Sequence, residues 1–301
     1  MSKVLSVKPL GEGHINDSYL IQTTESRLVS QRIGKGMDID ILEHNFEMYA
    51  EACRKADFSF PEWIKNSEGK YISTDEKGDH WRTYPYIQGD ILEPPLGMEQ
   101  LYAVGQGLAR LHTLLQTFPE KPKAVYPMLH DLNYYYYEYI HVLSGYGLLD
   151  ERRDKELEEK IYSKIDKYRN LELDRTAVVH GDAKLANILF RSGRVYAFID
   201  LDTIMQGSLM EDMADCIRSC CMKDGKLDYS ACKTLMEGYL SRAPGLISNE
   251  DMNKLRDVIN KICFELGLRY YTDSISEIKK FKVKYPEYRQ EKARELINID
   301  C

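Results

Sequence analysis

The sequence predicts an α+β fold in two lobes: a small β-rich lobe over residues 1–88 and a larger, mainly helical lobe over residues 89–301. Three observations predict it. Short apolar or alternating runs separated by turn residues fill most of the first ninety positions. After the stretch from Tyr84 to Asp90 the pattern changes to helical stripes. One β-like interruption, residues 178–202, then breaks the helical part.

In chain order, VLSVKPL, SYLIQTT and RLVSQRI read as strands. Their apolar residues alternate or cluster in strand-length runs. IDILEHNFEMYAEACRKA follows with Ile41, Leu42, Phe46 and Tyr49 near helical spacing. YISTDEKGDHWRTYPYI reads as a hairpin turning near Lys77-Gly78. In MEQLYAVGQGLARLHTLLQ, residues Leu101, Val104, Leu108, Leu111 and Leu115 form one apolar stripe. Residues 131–170 read as two further helices, and helices dominate from Leu209 onward. The rings of Asn133-Tyr134-Tyr135-Tyr136-Tyr137-Glu138-Tyr139 would point all round a helix axis, which suits core and interface packing better than a ligand platform. His112, inside an apolar helix, reads as a satisfied buried histidine.

Bulk properties narrow the partners. Charged residues make up 30% and hydrophobic residues 43%, with net charge -7, the balance of an ordinary globular protein. No block of like charges marks a nucleic-acid surface. Residues 203–301 carry 16 acidic and 16 basic side chains, so the acidity belongs to residues 1–202. The start lacks an apolar signal segment, and no window has the roughly 18 apolar residues of a membrane helix. Seven cysteines without a CxxC spacing fit a reduced, cytoplasmic setting. Cys216, Cys220 and Cys221 read as buried thiols on a helix. The expectation is a cytoplasmic monomer without nucleic-acid or membrane partners.

The chemistry concentrates in VVHGDAKLANILFRSGRVYAFIDLD, residues 178–202. An apolar run ends in His180-Gly181-Asp182, Lys184 and Asn187 follow, and a second run ends in Asp200-Leu201-Asp202. An Asp beside Gly is on its own a common turn residue, and the joint pattern is what carries the reading. Phosphoryl transfer needs an aligned hydroxyl and cations around the moving charge, with little covalent help. Asp182 would accept the acceptor hydroxyl's proton, and Lys184 would reach the phosphate as a point charge. Asn187 and Asp200 offer hard oxygen ligands for magnesium.

This spacing resembles the catalytic and metal loops of the protein-kinase-like superfamily. Gly181, where protein kinases carry Arg, resembles the aminoglycoside phosphotransferase and choline kinase branch, which acts on small molecules. GEGHINDSYL, VSQRI, IDLDTIMQGS, LGLRYYTD and FKVKYP together resemble the N-acetylhexosamine 1-kinases, over about Gly11 to Ala293. The resemblance implies a protein-kinase-like two-lobed fold. It also implies ATP and Mg2+ as cofactors and a sugar acceptor phosphorylated at its anomeric hydroxyl. The N-terminal lobe would bind nucleotide, and the C-terminal lobe would hold the catalytic and acceptor sites.

Further residues follow from it. Gly11, Gly13, His14 and Asn16 would form the glycine-rich phosphate loop, with Asn16 where a third glycine would stand. Arg32 would be the phosphate-facing cation of the third strand, oriented by Glu47 or Glu51. Pro85, Tyr86 and Ile87 would lie against adenine. Asp202, Arg218, Arg269, Tyr270 and Asp273 are the candidate substrate contacts. Arg269 and Asp273, four apart, would share a helix face, where a surface salt bridge is the competing reading. Asp212 would accept backbone hydrogen bonds from the catalytic loop, and His180 would brace that loop. Choline-like amino alcohols or aminoglycosides are the rival acceptors. A catalytically silent nucleotide-binding scaffold would be expected to lack one of Asp182, Asn187 or Asp200.

Overall fold

A computed structural model describes residues 3–11, 16–146, 151–223 and 225–301. The expected loop residues Gly13 and His14 lie outside this set. The chain begins with β1 (Val4–Pro9), β2 (Asp17–Thr23), β3 (Arg27–Arg32), α1 (Ile39–Ala56), β4 (Ile72–Thr74) and β5 (His80–Pro85). Together the strands make one antiparallel sheet in the order β1-β2-β3-β5-β4. The β4–β5 hairpin turns at Gly78, as expected.

α1 starts where Asp38 accepts the amides of Asp40 and Ile41, an N-cap that supplies two otherwise unpaired donors. It stops at Asp57, a left-handed residue. Its buried Leu42, Phe46, Tyr49 and Cys53 follow helical spacing. Phe46 lies flat on Trp63 at 4.0 Å. Around this pair, Ile33, Leu42, Ala50 and Ile72 make a separate small core under the sheet.

The helical part contains α2 (Met98–Leu115), α3 (Leu132–Tyr146) and α4 (Lys155–Arg169). Next come the short strands β6 (Ala177–Val179), β7 (Ile188–Arg191), β8 (Arg194–Phe198) and β9 (Met205–Gly207). The chain then forms α5 (Leu209–Cys221), a two-residue ladder of β10 (Met222–Lys223) and β11 (Lys226–Leu227), and α6 (Tyr229–Leu240). It ends with α7 (Asn249–Asn253), α8 (Leu255–Ile275) and α9 (Tyr288–Ile297). The five residues of the predicted α2 stripe are the core of this part, each no more than 1% exposed. In the tyrosine run, Tyr135 and Tyr139 point inward while Tyr134 and Tyr137 are exposed, as a helix requires. Cys216, Cys220 and Cys221 are buried thiols on α5.

α2 and α6 cross backbone against backbone. A Cβ on Gly105 would sit 1.9 Å from Leu235 O, and one on Gly238 would sit 2.2 Å from Tyr102 O. Neither position can carry a side chain unless the helices separate.

The connector after β5 joins the two parts. Asp90 N–H donates to Phe190 O at 2.9 Å and Phe190 N–H to Asp90 O at 2.8 Å. Arg191 adds two bonds to Gln88 O. The connector is therefore fixed to the β7–β8 hairpin whose ends carry Asn187 and Asp200. Among the described residues, no helix is long and apolar enough to cross a membrane.

Candidate active site

The loop between β6 and β7 is shaped by residues far from it in sequence. Asp212, in the first turn of α5, accepts His180 N–H at 2.7 Å and Gly181 N–H at 2.8 Å. His112 Nε2 also donates to Asp212, while its Nδ1 meets Tyr239 Oη at 2.9 Å. Burial would raise the Asp212 carboxyl, but these donors outweigh it and hold it below the usual carboxylate range. Two α5 turns later Ser219 Oγ accepts Leu185 N–H. His180 sits inside the loop, its Nε2 donating to Ile199 O and its Nδ1 accepting Asp182 N–H. That pattern requires the neutral ring, and burial pushes the imidazole's pKa down accordingly. Asp212 and His180 thus brace the loop as expected, and His112 is the satisfied buried histidine the sequence suggests.

Gly181 has φ +82°, and a Cβ there would lie 2.5 Å from Thr203 O. The left-handed backbone alone costs an L-residue about 1–2 kcal/mol, and the clash adds to that. Gly181→Ala is expected to displace the loop, lowering kcat by at least about tenfold. Far-UV circular dichroism should stay native, because the change is confined to one turn. Unchanged kcat would show that the loop geometry is not critical.

Asp182 is bound asymmetrically. Lys184 Nζ donates to its Oδ2 at 2.6 Å and Asn187 Nδ2 to the same oxygen at 2.8 Å. Asn187 Nδ2 also bonds Asp182 O. Among the described residues Oδ1 accepts no hydrogen bond, so one oxygen is anchored and the other is open. Burial would raise this carboxyl, but the Lys184 charge and hydrogen bond outweigh it, and Asp182 stays ionised. The same pairing raises Lys184 against the pull of its own burial.

Asp200 follows β8 with left-handed φ +63° and no paired cation among the described residues. Burial, then the neighbouring Asp202 and Asp182 charges, push its carboxyl up to about 7. An unpaired carboxylate crowded by two others suits a divalent cation. Asn187 has its amide nitrogen spent on Asp182, which leaves Oδ1 as its only possible metal ligand. No cluster of three or more His, Cys, Asp or Glu among the described residues is placed to hold a metal ion. Magnesium needs only one or two protein oxygens, with waters and phosphate oxygens completing its shell, and Asp200 with Asn187 fits that requirement.

Asp202, two residues on, is not open to a substrate. Arg82 of β5 binds both its oxygens, and Asn16 Nδ2 donates to Oδ2 at 2.7 Å. Asn16 Oδ1 accepts Gly34 N–H in turn. Arg82 is 2% exposed, donates to Gln31 Oε1 and lies 4.6 Å over the Trp63 ring. Asn16 before β2, Arg82 of the sheet and the loop after β8 therefore meet at one buried carboxylate.

The expectation for Arg32 needs correction. Arg32 pairs with Asp17 and Asp79, while Glu47 lies 3.8 Å from Lys65 and Glu51 pairs with Lys55. The reason is strand parity: Ile33 packs with Leu42 and Phe46 of α1, and Val29 and Gln31 share its side of the strand, so Arg32 faces away. The cation delivered to the inner face is Arg82, which pairs across the ladder with Gln31. The signal was present in HWRTYP, where Arg82 and Tyr84 alternate with outward residues.

Asp273 also differs from expectation. It is buried, binds Arg289 Nε at 2.5 Å and accepts the amides of Lys280 and Phe281. It therefore fixes the segment leading into α9 and does not pair with Arg269. α8 is buried on nearly all sides, so sharing a face with Arg269 did not mean facing the same partner. Arg269 instead lies 4.8 Å over the Tyr135 ring and 5.6 Å over Phe281. No carboxylate pairs with it among the described residues. Tyr270 stacks on Phe281 at 4.3 Å, and its ring edges a cavity of about 460 Å³ shared with Gly11, Asn16 and Ser18. Arg218 pairs with Asp215 of the preceding turn and feels the Asp182 charge. At the connector, Tyr86 N–H is spent on Arg27 O and Pro85 has none, so Ile87 is the first residue past the ladder. A larger cavity, about 690 Å³, lies between α1 and α2 around Phe58 and Arg110, and of the candidate residues it includes only Glu51.

Comparison with known proteins accords with this geometry. The profile of the phosphotransferase enzyme family (APH) matches residues 6–240. The chain belongs to that family. It is 24% identical over 266 residues to a homoserine kinase of Chelativorans sp. (strain BNC1), covering 85% of this chain and 76% of the relative. A homoserine kinase of Agrobacterium fabrum is 24% identical over 256 residues, covering 81% and 73%. Among solved structures, an amicoumacin kinase in complex with AMP-PNP and Ca2+ superposes with TM-score 0.69 at 11% identity, over 97% of this chain and 88% of the other. A microcompartment-associated aminopropanol kinase gives 0.65 at 16% identity, over 97% and 90%. This APH-family protein therefore has the protein-kinase-like fold. It is a phosphotransferase that acts on an alcohol group of a small molecule.

Proposed function

We propose that this APH-family enzyme transfers the γ-phosphate of ATP to the anomeric hydroxyl of an N-acetylhexosamine. The observation that carries the reading is the state of the carboxylates that α5 and α8 contribute to the helical part. Asp215, Asp273 and Glu265 each already hold a cation, from Arg218, Arg289 and His130 respectively. None of these three carboxylates is free to meet a cationic acceptor, whereas a neutral polyhydroxylated one needs no such partner. Tyr270 and the guanidinium groups of Arg218 and Arg269 supply the aromatic and hydrogen-bonding surfaces that a sugar uses.

In this reading the open Oδ1 of Asp182 receives the acceptor hydroxyl's proton as its oxygen bonds to phosphorus and the bond to the ADP oxygen breaks. A hemiacetal hydroxyl is acidic enough for an ionised carboxylate to suffice. Lys184 keeps Asp182 charged and stands beside the transferring group. Magnesium held by Asn187 and Asp200 would neutralise phosphate charge. Arg82, through Asp202 and Asn16, keeps the sheet and glycine turn in register with that site.

A second reading, a hydroxy amino acid such as homoserine, is favoured by the two homoserine kinases above and by Arg269, which could take a carboxylate. Measuring ADP release over N-acetylhexosamines, free hexoses, homoserine, amino alcohols and aminoglycosides separates the two. Turnover of N-acetylglucosamine or N-acetylgalactosamine well above the rest is expected. Arg269→Leu should raise the acceptor KM about ten- to a hundredfold, the size of losing a charged hydrogen bond, with the ATP KM nearly unchanged. Turnover of homoserine alone would overturn the sugar assignment.

A further inference from the structure

The peptide unit between Gly181 and Asp182 sets the direction in which the Asp182 side chain leaves the backbone. Its N–H is held by His180 Nδ1 at 3.3 Å. Its carbonyl is held by a residue from outside the loop: His130 Nε2 lies 3.0 Å from Gly181 O. The other ring nitrogen of His130, Nδ1, lies 3.0 Å from Glu265 Oε1 of α8. A peptide carbonyl has no hydrogen to give, and the Glu265 carboxylate is ionised beside Lys261. Both ring nitrogens must therefore carry protons.

The geometry points to His130 as a positioning residue: a doubly protonated imidazolium that pins the Gly181 carbonyl and so fixes the peptide plane from which Asp182 projects. The inference rests on the proposed role of Asp182.

The surroundings are built for a fixed charge. His130 is 7% exposed and sits at φ +60°, in the turn before α3. Its own carbonyl accepts from Arg175 Nη2 at 3.2 Å and faces Lys261 Nζ at 3.5 Å. Both cations also bind Glu211 of α5, and Lys261 lies 3.7 Å from Glu265 Oε2. Around the ring, then, stand Glu265 and Lys261 from α8, Glu211 from α5, Arg175 before β6, and the loop carbonyl. Burial lowers the imidazole, but Glu265, its hydrogen bond and Glu211 outweigh both this and Lys261, and the ring titrates at about 9. Burial likewise raises Glu265, yet the His130 charge brings it down to about 2. This pair is opposite in kind to His180, whose neutral ring meets one donor and one acceptor. Two histidines of different charge thus clamp the two ends of one peptide bond.

Neutral His130 has one N–H for two acceptors, so raising the pH through about 9 releases either Glu265 or the Gly181 carbonyl. The catalytic loop should loosen, and kcat should fall on the alkaline side while the ATP and acceptor KM values hold.

The test has two arms. Histidine-selective 15N NMR on the wild-type protein at pH 8, with neither nucleotide nor acceptor, should show one imidazolium that His130→Gln removes. His130 neutral at pH 8 would overturn the inference, whatever the acceptor proves to be. In the second arm, kcat is followed against pH with N-acetylglucosamine. Glu265→Gln should move the alkaline limb at least about one pH unit lower, because it removes the charge that holds the second proton. His130→Gln should lower kcat about tenfold or more, with both KM values within about twofold of wild type. A limb unmoved by Glu265→Gln, or full kcat in His130→Gln, would also overturn it. Mere destabilisation would lower the active fraction without shifting the limb.

Discussion

Asp182→Asn is expected to lower kcat by about 10²–10⁴-fold, the contribution of a positioned general base, while leaving nucleotide binding close to wild type. The substitution is nearly isosteric, so the Lys184 and Asn187 contacts at the anchored oxygen change little in shape. What it removes, in the proposed mechanism, is the group that takes the acceptor hydroxyl's proton. ATP affinity measured by calorimetry separates loss of chemistry from loss of the site. An Asn variant that retained most of its turnover would mean that another group accepts the proton. A variant that lost nucleotide binding equally would mean that Asp182 is structural.

The second large effect is expected at Arg82. Its guanidinium and the Asp202 carboxylate are both almost completely buried. Removing one partner leaves the other charged, desolvated and unpaired, which costs about 3–5 kcal/mol. Arg82→Ala should therefore depress Tm by several degrees or more. It should also raise the ATP KM, because Asp202 holds Asn16 at the end of the glycine-rich turn. The double substitution Arg82→Met with Asp202→Leu discriminates between the two consequences. Replacing both charges by apolar groups of similar volume can be nearly neutral for stability. Tm should recover substantially, while the ATP KM stays high because Asn16 has lost its acceptor. Thermal melts and ATP titrations of the three proteins test this. A single Arg82→Ala variant with wild-type Tm would show the pair to be marginal.

Much of the site was legible because its determinants are local. The spacing from His180 to Asn187 and the second carboxylate at 200 are consequences of one loop and one hairpin. The α2 stripe and the buried His112 follow from patterns readable within a single helix, whereas the Asp212 cradle is what the family resemblance implies. What could not be read was pairing across elements. Choosing between Arg32 and Arg82 required knowing which strand face packs on α1, and a shift of one residue reverses that answer. Helical spacing puts Asp273 on the right helix, but α8 is enclosed by neighbours, so spacing alone does not say which one it meets. Neither His130 nor Glu265 stands out in sequence. They lie 135 positions apart, and nothing local reveals that the turn before α3 returns to the catalytic loop.

The crossing of α2 and α6 bears on how the enzyme could be re-engineered. Two helices that touch through glycines leave no slack for compensating changes, so variants that widen this seam should be lost early in any mutagenesis campaign. New acceptor preferences are more readily sought in the segment joining α8 to α9, where neighbouring side chains can change volume without prying main chains apart.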